Sequence, residues 1–259
     1  MSFEFYQIDT FTDRLLGGSP AAVCPLKEWL SDSVLQAIAQ ENNLSETVFF
    51  KPNQDRYDIR WFTPKTEVSF GHAILAAAFV VFNYLDSKAK EIVFNHTEGP
   101  IKVTRENEFI TLDLPAIKYE LRDERMMLAQ ILGVVPKEVY RAREDYMVIL
   151  QHEDQVRSFQ PEFQLIEQLN SRGIAITAQG KSVDFVSRWF GPRVGVNEEF
   201  VTGSAHCMLT PYWARQLGRN LLEAEQLSSR HGKLRCELKG NRVLLTGQAM
   251  LYLRGEIFV

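Results

Sequence analysis

The chain has 259 residues, 45% of them hydrophobic and 24% charged, with a net charge of −4. These proportions are those of an ordinary globular protein and exclude a disordered or collagen-like chain. No basic excess is present to neutralise phosphates, so nucleic acid is not an expected partner. At about 1.7 times the ~150-residue domain prior, one large or two modest domains are expected.

In chain order, residues 4–10 alternate apolar and polar side chains and predict a strand. No basic stretch leads into an apolar run there, so no signal peptide is expected. Ser31 is placed to cap a helix over 32–40, and strands are predicted at 47–51 and 59–62. Residues 73–85 read A-I-L-A-A-A-F-V-V-F-N-Y-L, a helix apolar almost all round. It is too short to span a bilayer, so no membrane is expected, and a helix of this kind is enclosed by its own protein. Short strands follow at 92–95, 101–104 and 109–114, with a boundary at Leu114-Pro115-Ala116. The second half predicts helices at 123–132, 161–170 and 207–217, and strands at 147–151, 174–177, 183–190, 234–238, 243–246 and 250–253.

The two halves look duplicated. The pattern R-W-F-x-P occurs at Arg60–Pro64 and at Arg188–Pro192, an offset of 128 residues, about half the chain. After each copy come a loop, a glycine (Gly71, Gly203) and a helix-like run. The expected organisation is a first repeat over 1–115 and a second over 116–259, with the final strand, about 249–259, free to return to the first. Each repeat is α/β, many strands around one apolar helix.

Candidate chemistry gathers at the two helix starts. The first N–H groups of a helix lack internal partners, and its dipole favours an anion there. Gly71 and Gly203 allow a ligand close to the backbone. His72 lies at the first start and His206 just inside the second, so a histidine recurs in both copies, and Ser204 is placed to cap the second helix or to hold a carboxylate. Glu46 leads directly into the apolar strand T-V-F-F. Burial there would raise its pKa and suit it to proton transfer; an edge position facing solvent accounts for it equally well. Glu198 and Glu199 read as an acidic surface loop before the second helix, and His152-Glu153-Asp154 as a solvated turn. Cys24, Cys207 and Cys236 are odd in number, scattered and without CxxC, so neither disulfides nor zinc are expected and a reducing, cytoplasmic compartment is. Nucleotide-binding, nucleophile-elbow and zinc-protease motifs are absent from the sequence.

Several stretches carry a resemblance: Q-I-D-T-F-T-D-R (7–14), G-G-S-P-A-A-V (17–23), N-N-L-S-E-T-V-F (42–49), R-W-F-T-P (60–64), G-H-A (71–73), V-N-E (196–198) and V-T-G-S-A-H (201–206), then P-Y-W (211–213). In this order they resemble the PhzF-like family of phenazine-biosynthesis proteins, within the diaminopimelate epimerase superfamily. The resemblance implies two related domains, each a sheet wrapped round a central helix, with a substrate cleft between them and no metal or organic cofactor. It implies an acid/base role for Glu46, an active-site role for His72 and substrate binding by Ser204. Three positions depart from the family pattern. Ser19 stands in G-S-P where the family has G-N-P, the run 67–72 is one residue short, and Glu199-Phe200 replaces Asp-Pro. Phe70 and Thr202 occupy the places where the superfamily's two-thiol racemases carry cysteine, which disfavours that chemistry.

The function expected is a cofactor-independent isomerase moving a proton on a small carboxylate-bearing metabolite. Glu46, His72 and Glu199 are the catalytic candidates, and Ser19, Gly71, Gly203 and Ser204 the substrate-binding ones. The alternative is a catalytically weakened homologue that binds a ligand or protein. A homodimer is the assembly to test first, as the commonest oligomer.

Overall fold

The computed structural model describes residues 2–68, 71–97 and 99–259. They divide into two units: residues up to Leu114 together with Leu245–Val259, and Pro115–Leu244.

The first unit runs β1 (Ser2–Thr10), β2 (Ser19–Pro25), α1 (Asp32–Asn42), β3 (Glu46–Asn53), β4 (Arg56–Phe62), β5 (Glu67–Val68), α2 (Ala73–Val80), β6 (Glu91–His96), β7 (Gly99–Glu106) and β8 (Phe109–Pro115). Strand β1 pairs antiparallel with β2, β2 parallel with β3, β3 antiparallel with β4, and β4 parallel with β6. Strands β6, β7 and β8 continue as antiparallel neighbours. Helix α2 packs against β1, β2 and β3 and is buried at every position but Phe79. Its run of alanines lets strands come close on all sides, as an all-apolar helix requires. The α-helix ends at Val80, short of the expected 85, and Val81–Leu85 forms a π turn closed by Asp86 N–H on the Val81 carbonyl at 2.7 Å. The Asn83 side-chain amide takes the Phe79 carbonyl at 2.8 Å, the acceptor that a continuing α-helix would use for its backbone.

The second unit runs β9 (Glu120–Leu121), α3 (Arg125–Leu132), β10 (Glu138–Ala142), β11 (Asp145–Ile149), α4 (Glu153–Arg157), α5 (Phe163–Glu167), β12 (Gly173–Gln179), β13 (Phe185–Gly191), β14 (Val196–Glu199), α6 (Gly203–Leu217), β15 (Leu221–Gln226), β16 (Gly232–Lys239) and β17 (Arg242–Gly247). Its pairings repeat those of the first: β10 antiparallel with β11, β11 parallel with β12, β12 antiparallel with β13, β13 parallel with β15, β15 antiparallel with β16. The chain ends in β18 (Ala249–Phe258), which pairs antiparallel along the whole of β1. The stretch from Leu245 therefore groups with the first unit.

The register shows what the repeated pentapeptide does. Trp61 lies opposite Val48 on β3, and Trp189 opposite Ala175 on β12. One residue earlier, Arg60 makes a bidentate pair with Glu67 on β5, both bonds at 2.7 Å. Arg188 does the same with Glu198 on β14, at 2.7 and 2.9 Å. In each unit the arginine fork clips the strand that leads toward the helix start. Glu198 is thus the arginine's partner rather than part of a solvated loop.

Helix α6 carries Pro211 in its interior. Proline has no N–H, so the carbonyl of Cys207, four residues back, loses its helical donor. Ile117 N–H supplies one at 3.0 Å, fastening the segment after β8 to the middle of the helix. Outside the sheet, α3, α4 and α5 cover a cluster that includes Leu128, Val148, Phe159, Ile176 and Phe190. Glu153 is buried at the start of α4, where it takes Arg157 at 2.6 Å and the Lys181 N–H at 2.7 Å, so the expected solvated turn is a pinned helix start. Among the described residues no helix is long and apolar enough to cross a membrane.

Candidate active site

In the first unit the parallel pairing of β2 with β3 sets Glu46, the first residue of β3, beside Ala21. Glu46 is 7% exposed, and its carboxylate lies against the start of α2. Oε2 accepts the Ala73 N–H at 2.8 Å, so a residue remote in sequence does the capping that His72, the N-cap itself, does not. His72 Nδ1 sits 3.3 Å from the same oxygen. On the other side of the ring, Nε2 is 3.1 Å from Ser19 Oγ and 3.4 Å from the Pro20 carbonyl. Ser19, His72 and Glu46 thus form a buried chain. With Nδ1–H directed at Glu46, the Ser19 hydroxyl donates to Nε2. Gly71 closes the arrangement from above: a Cβ built there would collide with both carboxylate oxygens of Glu46. The structure brings Ser19, Glu46, Gly71 and His72 together. The shortened run before Gly71 includes Ser69 and Phe70, which lie outside the described residues.

The second unit builds a different helix start on the same frame. Thr202 is the N-cap of α6, so Gly203 and Ser204 are its first helical residues and Ser204 is not the cap. Glu199 ends β14 opposite Trp189; it is 5% exposed, and its Oε1 accepts the Phe200 N–H at 2.9 Å. Gln226, fully buried at the end of β15, ties these residues together. Its Oε1 accepts the Thr202 N–H at 2.8 Å, and its Nε2 donates to the Glu199 carbonyl at 2.7 Å and to Thr202 Oγ1 at 3.2 Å. Ser204 Oγ accepts from Arg172 Nη2 at 3.0 Å. Arg172 forms a bidentate pair with buried Asp145 and lies over the ring of Trp189, whose indole N–H donates to Asp145 Oδ2 at 3.1 Å. Gln226, Asp145 and Arg172 carry no signal in a single sequence, because each finds its partners only when strands distant in the chain are paired.

Aligning the two tryptophans makes Gly173 the counterpart of Glu46, and a Cβ at Gly173 would collide with the Trp189 ring. Aligning Gly71 with Gly203 makes Ser204, not His206, the counterpart of His72. The two histidines are therefore not equivalent, against the expected recurrence: His206 is one turn into the helix and fully buried beside Phe185. Its Nδ1–H donates to the Thr202 carbonyl at 2.8 Å, while Nε2 has no hydrogen-bond partner among the described residues. Desolvation pulls its pKa down to about 4, against a smaller upward pull from the Thr202 carbonyl.

A pH dependence follows. The folded pKa lies below the unfolded value, so the unfolded chain takes up the proton first. The stability held in neutral His206 is complete above about pH 6.5 and drains as the pH falls to about 4. For a fully buried ring this amounts to about 3 kcal/mol. Denaturant titrations of the wild type and His206→Met are expected to diverge in slope over that window. Parallel pH profiles would remove His206 as the cause.

All three cysteines are buried, and burial pushes the Cys207 and Cys236 thiols up to about 12 and raises that of Cys24. Thiol reagents are expected to label the native protein only on the timescale of unfolding, as amounts labelled with and without denaturant will show.

The family model described as phenazine biosynthesis-like protein matches residues 8–255. An uncharacterized isomerase of Pseudomonas aeruginosa is 45% identical over 258 residues, covering 99% of each chain. A crystal structure of a PhzF-family phenazine biosynthesis protein from Enterococcus faecalis is 41% identical, with a TM-score of 0.95 and full coverage of both chains. A hydroxyproline epimerase from Agrobacterium vitis, solved with bound trans-4-hydroxy-L-proline, shares the fold alone: TM-score 0.65 at 7% identity, over 99% of this chain and 92% of that one.

Proposed function

We propose, given that the chain belongs to the PhzF family of phenazine biosynthesis-like proteins, that it is a cofactor-independent isomerase that moves a proton on a small carboxylate-bearing metabolite. The observation that carries this reading is the placing of Glu46. Its carboxylate is buried, held by the Ala73 N–H at 2.8 Å and next to His72 at 3.3 Å, at the mouth of a helix start. Both contacts fall on Oε2, and Oε1 is the oxygen assigned to take the substrate's C–H proton and return it to another carbon. His72 shares the proton's charge with Glu46, and Ser19 fixes the ring. In the second half-site Glu199 orients the substrate. Ser204 and the first N–H groups of α6 hold its carboxylate, where a helix N-terminus favours negative charge. A cleft between the two domains, as the family resemblance implies, is the place proposed for the substrate.

The test uses a panel of small amino, hydroxy and cyclic carboxylates incubated in D2O with the protein and followed by mass spectrometry. At least one is expected to gain a deuterium with the wild type and not with Glu46→Gln. A panel that stays unlabelled while a member binds would turn the reading to the ligand-binding alternative.

A further inference from the structure

The second helix start has one polar group whose bonding points outward. Ser204 is 9% exposed, and its one hydrogen-bond partner among the described residues is Arg172, at 3.0 Å. A guanidinium has donors only, so Ser204 Oγ must be the acceptor. The hydroxyl's own hydrogen is then left for an acceptor that arrives from outside. A cation donating to the oxygen also strengthens the O–H as a donor, since bonds in such a chain polarise one another.

The support of Arg172 is itself built for fixed geometry. Asp145, buried at 3% exposure, takes both Nε, at 2.9 Å, and Nη2, and it also takes the Trp189 indole N–H at 3.1 Å. The guanidinium carbon lies over the Trp189 ring, 5.2 Å from its centroid. A bidentate carboxylate below and an aromatic face beside it leave the fork little rotational freedom. At the corresponding positions of the first unit stand Ala21 for Asp145 and Ser45 for Arg172, by the paired registers Ala21↔Glu46 and Asp145↔Gly173. The device is therefore confined to the half that lacks a counterpart of Glu46. One repeat carries Glu46; the other has Gly173 at that position and, beside it, a half-buried ion pair bonded to its serine.

We infer that Arg172, held by Asp145 and Trp189, is a positioning residue that presents the Ser204 hydroxyl as a donor to a substrate carboxylate at the start of α6. The inference rests on the proposed function for the carboxylate and goes beyond it in saying what sets the affinity. Lysine in place of Arg172 keeps the charge but not the fork, and cannot hold Asp145 in two bonds while reaching Ser204.

The probe is benzoate, a planar carboxylate, titrated into 15N-labelled protein with the amide signals of Gly203 and Ser204 as readout. Wild type is expected to show saturable shifts at both. Ser204→Ala and Arg172→Met should each weaken the affinity by about 10- to 100-fold, the range for a hydrogen bond to a charged group. Arg172→Lys, the variant safest for folding, should fall between. The combined Arg172→Met/Ser204→Ala protein should bind no worse than Ser204→Ala alone, because the arginine acts through the serine. Unchanged affinity in Arg172→Lys and Arg172→Met, or losses that multiply in the combined protein, overturns the inference and leaves the carboxylate site standing. Absence of any saturable shift in the wild type overturns both the carboxylate site and the inference.

Discussion

Glu46→Gln is expected to lower deuterium exchange into the responsive carboxylate by about 10²–10⁴-fold, the range for losing a positioned acid/base group. The fold should survive. Gln is nearly isosteric, and its amide oxygen can still accept the Ala73 N–H that Glu46 holds at 2.8 Å, so the start of α2 stays capped. What disappears is the capacity to take a proton and give it back. Benzoate affinity at Gly203 and Ser204 should change little, since neither residue is altered. Glu199→Gln separates two roles for the second carboxylate: a loss of about tenfold or less fits orientation of the substrate, and a loss matching that of Glu46→Gln makes it a second base. Exchange at the wild-type rate in Glu46→Gln would transfer the base to His72 or Glu199. The measurements are the deuterium incorporation rate and the melting temperature of each variant, taken together.

The fold was legible where the sequence marks it with chemistry that only one arrangement satisfies. An all-apolar run such as Ala73–Val80 has to be enclosed, and a Trp-containing pentapeptide recurring at half-length has to sit in equivalent strands. Six of the described strands escaped, two of them, β5 and β9, only two residues long. β2 reads S-P-A-A-V-C-P, whose two prolines and two alanines oppose a strand, yet its pairing with both β1 and β3 overrides local preference. β15 reads L-L-E-A-E-Q, a helix-forming composition turned into a strand by β13 and β16. Short β14 ends in consecutive glutamates, and β10 carries Glu138 and Arg141 within five residues, so neither gives a clean alternation.

Legibility of the site divides the same way. Glu46, Gly71 and His72 could be singled out because a charge before an apolar strand and a Gly-His before an apolar helix are unusual. Pairing His72 with His206 failed because residue type was matched instead of register; counting from the helix-start glycines aligns His72 with Ser204. Asp145 and Arg172 are 27 residues apart and meet only because β11 and β12 run parallel, with Asp145 opposite Gly173. Nothing local in E-D-Y or S-R-G announces that contact.

Gly71→Ala is expected to cost nearly as much activity as Glu46→Gln and about 1–3 kcal/mol of stability. From the sequence, Gly71 suggested room for a ligand to approach the backbone. In the structure the space that its missing side chain leaves is filled by the Glu46 carboxylate, and a Cβ there would overlap both oxygens. The backbone of Glu46 cannot yield, being paired with Ala21 on β2 and followed directly by Thr47 in register with Phe62 on β4. The side chain can, because it is the far end of a flexible chain, so the collision resolves by moving the carboxylate. The Ala73 N–H then loses its acceptor in a buried place, worth about 1–3 kcal/mol. A displacement of about 1 Å at a reacting group costs about 10²-fold in rate. Since both substitutions act on one group, the double variant Gly71→Ala/Glu46→Gln should exchange no more slowly than Glu46→Gln alone. Measured exchange rates of the four proteins close this cycle. Losses that multiply would mean that Gly71 serves the ligand directly, as its sequence context first suggested, and that its contact with Glu46 is incidental.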